Sequence, residues 1–101
     1  MSEHVAEIVW KRETESFAYD HYNRAHLWRF DGGVEVPGSA SPLYRGDETR
    51  VDPEEAFVAA LSSCHMLTFL AIAARKRLVV DAYGDRAVGR MEKNAQGKLA
   101  I

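Results

Sequence analysis

DPEEAFVAALSSCHMLTFLAIAARKR, residues 52–77, decides the fold of this chain. Asp52 is a good N-cap, Pro53 suits the first helical position, and Glu55, three residues after Asp52, completes a capping box. Glu54 and Glu55 fall in the first turn, where the helix dipole favours negative charge. Arg75, Lys76 and Arg77 fall in the last turn, where it favours positive charge. Between these ends the residues are apolar on nearly every side, which predicts a helix over 53–77 that is buried rather than laid on a surface. Residues 56–74 approach the length of a membrane span, about 20 apolar residues. Ser62, Ser63, His65 and Thr68 interrupt them near the middle, so a buried helix is the better reading and no membrane partner is expected.

Working outward, the segments on both sides of the helix read as strands. Residues 24–30 (RAHLWRF) alternate, with Ala25, Leu27 and Arg29 on one face and His26, Trp28 and Phe30 on the other. Asp31-Gly32-Gly33 is a turn signal, and residues 34–36 return as the second strand of a hairpin. Residues 4–12 (HVAEIVWKR) are β-like, while 37–49, rich in Gly, Ser and Pro, read as an irregular loop. After the helix, residues 79–92 return to β character, with Gly84 or Gly89 marking a bend or bulge. Residues 94–97 (NAQG) form a turn and 98–101 open a further strand, inside which the chain stops. Strands flanking a long central helix define an α+β class, an antiparallel sheet packed on that helix.

Composition narrows the function. At 101 residues a single domain, 1–101, is expected. The 13 basic and 15 acidic residues are spread along the chain, without the basic cluster that phosphate-backbone binding needs, so nucleic acid is a poor partner. A single cysteine, Cys64, excludes an intrachain disulfide and a zinc site built on several thiolates. No apolar segment follows Met1, so a reducing cytoplasm is the expected setting.

Cys64 is the sole candidate nucleophile. A lone cysteine in an apolar helix is most often a small core residue. Against that, Ser62, Ser63, Cys64 and His65 form a polar island, and a serine there would cap a second helical segment beginning near Cys64. A thiol at such an N-terminus has its reactive thiolate stabilised. His65 projects about 100° away from Cys64 on a helix and is a poor base for it. His21, His26 and His65 match no strong zinc spacing, so no metal and no cofactor is expected. Arg24 and Arg29 read by default as solvated strand residues, and Glu54 and Glu55 as helix-start residues.

The run VDPEEAFVAALSSCHML (51–67), preceded by YNRAHLWRFDGG (22–33), resembles the OsmC/Ohr family of thiol-dependent hydroperoxide reductases, nearest its branch with Ser-Cys-His at the reactive thiol. The resemblance extends from about Trp10 to Ile101. It implies an α+β protein with an N-terminal antiparallel sheet and a long central helix. It also implies an intertwined homodimer with sites at the subunit interface, and reduction of organic hydroperoxides or H2O2 in oxidative-stress defence. By position, Cys64 matches the peroxidatic cysteine and Glu54 its acidic partner. Arg24 best matches the arginine that holds the thiolate and polarises the peroxide, with Arg29 as the alternative. A guanidinium near a thiol favours the thiolate and offers a planar fork to an anionic leaving oxygen. The family resolves its sulfenic acid with a second cysteine some 60 residues further on. The chain therefore reads as the N-terminal two thirds of a family member, or as one that relies on an external thiol reductant.

Two readings follow. In the first, Cys64 attacks a peroxide oxygen and becomes a sulfenic acid. In the second, the chain is a non-catalytic, dimerising piece, or a binder of hydrophobic small molecules of the same fold. One geometric conflict attends the first. Ten residues of straight helix separate Glu54 from Cys64 by about 15 Å, so either the helix breaks near Ser62-Ser63 or the two groups meet across subunits.

Overall fold

The computed structural model describes residues 2–93 and 99–100, which form two compact units, Met1–Pro53 and Glu54–Ile101. The first is built on an antiparallel sheet of three strands, β1 (Ala6–Val9), β2 (His26–Phe30) and β3 (Glu35–Gly38), in that order. Its register sets Ile8, Trp28 and Val36 side by side, so the apolar alternation of the sequence reaches one face. The hairpin turn is the one foreseen at Asp31-Gly32-Gly33. Gly33 donates its N–H to Phe30 O at 2.9 Å, and Phe30 donates to Val34 O at 2.9 Å. Gly33 has φ +93°, a conformation that side-chain-bearing residues rarely adopt, which is why glycine ends this three-residue loop.

The connection from β1 to β2 is long and is sewn at its base by Asn23. Its side-chain amide donates to Lys11 O at 3.0 Å and its Oδ1 accepts Glu13 N–H at 2.9 Å, while Trp10 Nε1 donates to Asn23 O at 2.8 Å. After β3 the chain passes through a short 3-10 helix, Pro42–Tyr44, and returns to the sheet end. There Val51 N donates to Pro37 O (3.0 Å) and Ser39 N to Val51 O (2.9 Å). Ser39 is fully buried, and its hydroxyl accepts Asp47 N–H at 3.0 Å.

Helix α1 (Pro53–Arg75) starts directly after Asp52, as expected, and from Glu54 onward it belongs to the second unit. It is unbroken for 23 residues, which removes the expectation of a second helical segment capped by Ser62 or Ser63. With no Gly or Pro between Pro53 and Arg75, nothing forces a break. The helix stops two residues before Arg77. Arg77 is left-handed (φ 60°) and donates to Ala74 O at 3.0 Å, and Leu78 donates to Ala73 O at 2.9 Å. That pair of bonds is a Schellman cap, which satisfies carbonyls the helix end leaves open.

Residues 79–91 differ from the β reading: they have no regular secondary structure, and pairing begins only at β4 (Glu92–Lys93), antiparallel to β5 (Leu99–Ala100). Residues 79–91 pair with no strand among the described residues, and a strand without a ladder is not stable. Side chains tie the segment to the helix instead, as described below. The expected turn at 94–97 lies outside the described residues.

The architecture is α+β. The expectation of a buried helix is not met within one chain: of α1 only Ala73 is buried, while Phe57, Leu61 and Leu67 are 50%, 57% and 60% exposed. The helix is also long and apolar enough to cross a membrane, by length and composition.

Candidate functional site

Cys64 is exposed on α1 and borders an open groove of about 810 Å³ that lies wholly within the second unit. One wall is the helix, through Phe57, Val58, Leu61, Ser62, Cys64, His65 and Thr68. These positions recur at intervals of three and four, so they share one face. The other wall is the irregular segment, through Asp85, Ala87, Val88, Gly89 and Arg90. The lining is mostly apolar, with the Cys64 thiol, the His65 imidazole, the Asp85 carboxylate and the Arg90 guanidinium as its reactive or charged groups.

Two contacts lay the irregular segment along the helix. Ser62 donates its hydroxyl proton to Asp85 Oδ2 at 2.6 Å, and the rings of Phe69 and Tyr83 stand 5.9 Å apart. Ser62 therefore belongs to the groove as a tie to Asp85, not as a helix cap. His65, though set about 100° from Cys64 on the helix, borders the same groove because the groove is wide.

Glu54 is half-buried in the first turn of the same continuous helix. The ten-residue separation from Cys64 is thus a real length of about 15 Å, and one chain does not bring the two side chains together.

Arg24 lies in the first unit, in the loop sewn by Asn23. Its guanidinium stacks on the Tyr22 ring (3.6 Å to the centroid) and faces Tyr19 (4.8 Å). It donates to Tyr22 O at 2.6 Å and to Tyr19 O. Trp10 and Phe17 extend this aromatic cluster, with Phe17 and Tyr22 centroids 5.0 Å apart. Arg29 forms an exposed cross-strand ion pair with Glu35, Nε to Oε2 at 3.0 Å. Arg29 is thus the exposed strand residue of the default reading, with a partner across the hairpin, whereas Arg24 lies outside any strand and its guanidinium is packed on Tyr22.

His26 is committed too. Its Nε2 accepts the Trp28 indole N–H at 2.8 Å, which leaves Nδ1 as the donor to Arg24 O at 2.7 Å. Among the described residues no cluster of three His, Cys, Asp or Glu side chains is placed to hold a metal ion.

The groove's second wall was invisible to spacing arguments. Asp85 and Arg90 meet the helix face from 23 and 26 residues beyond Ser62 and Cys64, in a segment with no periodic pattern. Among electrostatic perturbations the clearest belongs to the first unit. The Thr49 hydroxyl and N–H, both bonded to Asp47 Oδ1, hold that carboxyl below its ordinary value, with Arg50 contributing.

The model of the OsmC-like protein family matches residues 46–99. Among solved structures, an OsmC-like protein of unknown function from Vibrio cholerae O1 biovar eltor is 54% identical, with a TM-score of 0.93. The match covers 100% of the present chain and 69% of the Vibrio chain. No curated protein matched the chain.

Proposed function

Because the chain belongs to the OsmC-like family, we propose that it is the thiol-bearing part of a peroxidase that reduces organic hydroperoxides or H2O2 through Cys64. The observation that carries this reading is an accessible thiol on the wall of an apolar groove large enough for an organic substrate. The Cys64 thiolate attacks the terminal peroxide oxygen and an S–O bond forms as the O–O bond breaks. The electron pair leaves on the departing alkoxide, or hydroxide for H2O2, which takes a proton from solvent; Cys64 is left as the sulfenic acid. An external thiol then reduces it, with release of water and formation of a disulfide on the reductant.

We extend the reading to assembly. An apolar helix this exposed is unusual for a surface in water, and a second copy of the chain is the natural cover. In such a homodimer Glu54, with Arg24 or Arg29, would act on the partner's thiol, since one straight helix keeps Glu54 about 15 Å from its own Cys64.

The test is direct: full-length protein is treated with cumene hydroperoxide and probed with a sulfenic-acid-trapping dione. Trapping at Cys64, abolished by Cys64→Ser, is expected. No trapped product in the wild type, with the thiol still free to alkylate, would refute the reading.

A further inference from the structure

Independently of the chemistry at Cys64, we propose that His26 is a proton-operated latch on Trp28, holding the indole while its ring is neutral and releasing it once the ring takes a second proton. Three observations lead there. The Trp28 indole N–H is a donor only, so His26 Nε2, 2.8 Å away, must accept, and Nδ1 carries the ring's single proton toward Arg24 O at 2.7 Å. One tautomer thus commits both ring nitrogens. The two half-buried rings are stacked with centroids 6.3 Å apart, and buried Gly38 closes the slot from β3. A side chain at position 38 would collide with both Trp28 Nε1 and His26 Nε2, so the indole cannot turn aside within the slot. Finally, the protein's other indole is held differently: Trp10 Nε1 donates to Asn23 O at 2.8 Å, an acceptor that does not titrate.

A doubly protonated imidazole has an N–H at each nitrogen and no acceptor left in the ring. The bond from Nδ1 to Arg24 O survives and gains charge assistance. At Nε2 two N–H groups meet head to head. The imidazole stays anchored and the indole leaves. Trp28 stands level with Ile8, which is 62% exposed, and Val36, so a released indole adds apolar area to that face of the sheet. The charges near His26 come from the loops: Arg50 Nη1 donates to His26 O at 3.1 Å with Asp47 3.9 Å from Arg50 Nε, and Arg24 turns its guanidinium onto Tyr22. On the sheet, Glu7, Arg29 and Glu35 alternate to the opposite face.

The experiment follows the side-chain nitrogens of full-length, nitrogen-15-labelled protein by NMR from about pH 8 to about pH 5, the range over which an imidazole ordinarily changes charge. The Trp28 indole resonance is expected to move in step with the His26 ring nitrogens, while the Trp10 indole stays in place. The solvent-exchange rate of the Trp28 indole N–H, divided by that of Trp10 at the same pH, should rise about fivefold across the transition, the worth of one hydrogen bond. His26→Gln offers an amide oxygen to the indole and an N–H to Arg24 O without titrating, and should keep that ratio low and flat. A Trp28 indole that holds its place while the His26 ring takes its proton overturns the proposal. So does a folded protein whose His26 stays neutral down to about pH 5. The same indole transition in His26→Gln overturns the assignment to His26. Should His26→Gln fail to fold, the two wild-type titrations, ring against indole, decide by themselves.

Discussion

Replacing Gly38 with alanine should unfasten the hydrogen-bonded pair formed by Trp28 and His26. Gly38 lies opposite His26 in the β2–β3 register, with the two rings folded over it. A Cβ built at Gly38 would overlap Trp28 Nε1 and stand 2.8 Å from Trp28 Cδ1 and 2.9 Å from His26 Nε2. Both rings would have to move, and the 2.8 Å bond between them would go. Losing one part-buried side-chain bond costs about 1 kcal/mol, and forcing packed side chains aside costs typically about 1–3 kcal/mol more. We therefore expect Gly38→Ala to lower unfolding free energy by about 2–4 kcal/mol. Urea denaturation followed by tryptophan fluorescence measures it. Gly32→Ala is the control, since nothing lies within 4 Å of its Cβ and its φ is not positive; it should change stability by no more than about 0.5 kcal/mol. Removing the obstructing indole first, in a Trp28→Val background, should make Gly38→Ala cheaper by about 1 kcal/mol or more. A Gly38→Ala cost equal to that of Gly32→Ala would refute the reasoning.

Three further outcomes are expected. Arg77→Gly should raise stability by about 0.5–1 kcal/mol in the same assay, because the left-handed cap strains any residue with a Cβ and glycine returns only part of that gain as unfolded-chain entropy. Asp47 titrates below its ordinary 3.8 because Thr49 bonds its charged form, so its stabilising contribution is fully present above pH 3.8 and is lost as pH falls through the lower, folded value. Asp47→Asn should flatten the acid limb of a stability–pH profile and leave its neutral region little changed in slope. Mixing Cys64→Ser with Glu54→Gln chains should recover peroxide-dependent thiol oxidation above that of the Glu54→Gln parent; no recovery would refute the cross-subunit pairing.

Where local signals fixed structure, the sequence could be read. Asp52-Pro53-Glu54-Glu55 placed the start of α1, and Asp31-Gly32-Gly33 placed the hairpin, because capping and left-handed turns are chemistry of a few adjacent residues. Cys64 stood out in the sequence within a polar island of an apolar run, and the structure sets it exposed beside the groove. What escaped was set by partners far along the chain. Ser62 read as a cap and serves Asp85, 23 residues on; Arg24 read as a strand residue and is folded into the Tyr19–Tyr22 cluster. Residues 79–91 carry β-forming side chains yet form no ladder with any described strand, since propensity cannot supply a partner.

The two walls of the Cys64 groove differ in mechanical kind. The helical wall is a rod whose backbone bonds are all internal, so Phe57, Leu61 and Cys64 keep fixed spacings whatever enters. The opposite wall, residues 85–90, has no such lattice and is pinned by side chains at Ser62 and Phe69. Compliance in this site is therefore one-sided. Guests of different girth would be accommodated by displacing the wall that bears Val88 and Arg90, while the thiol stays at a constant address on the rod.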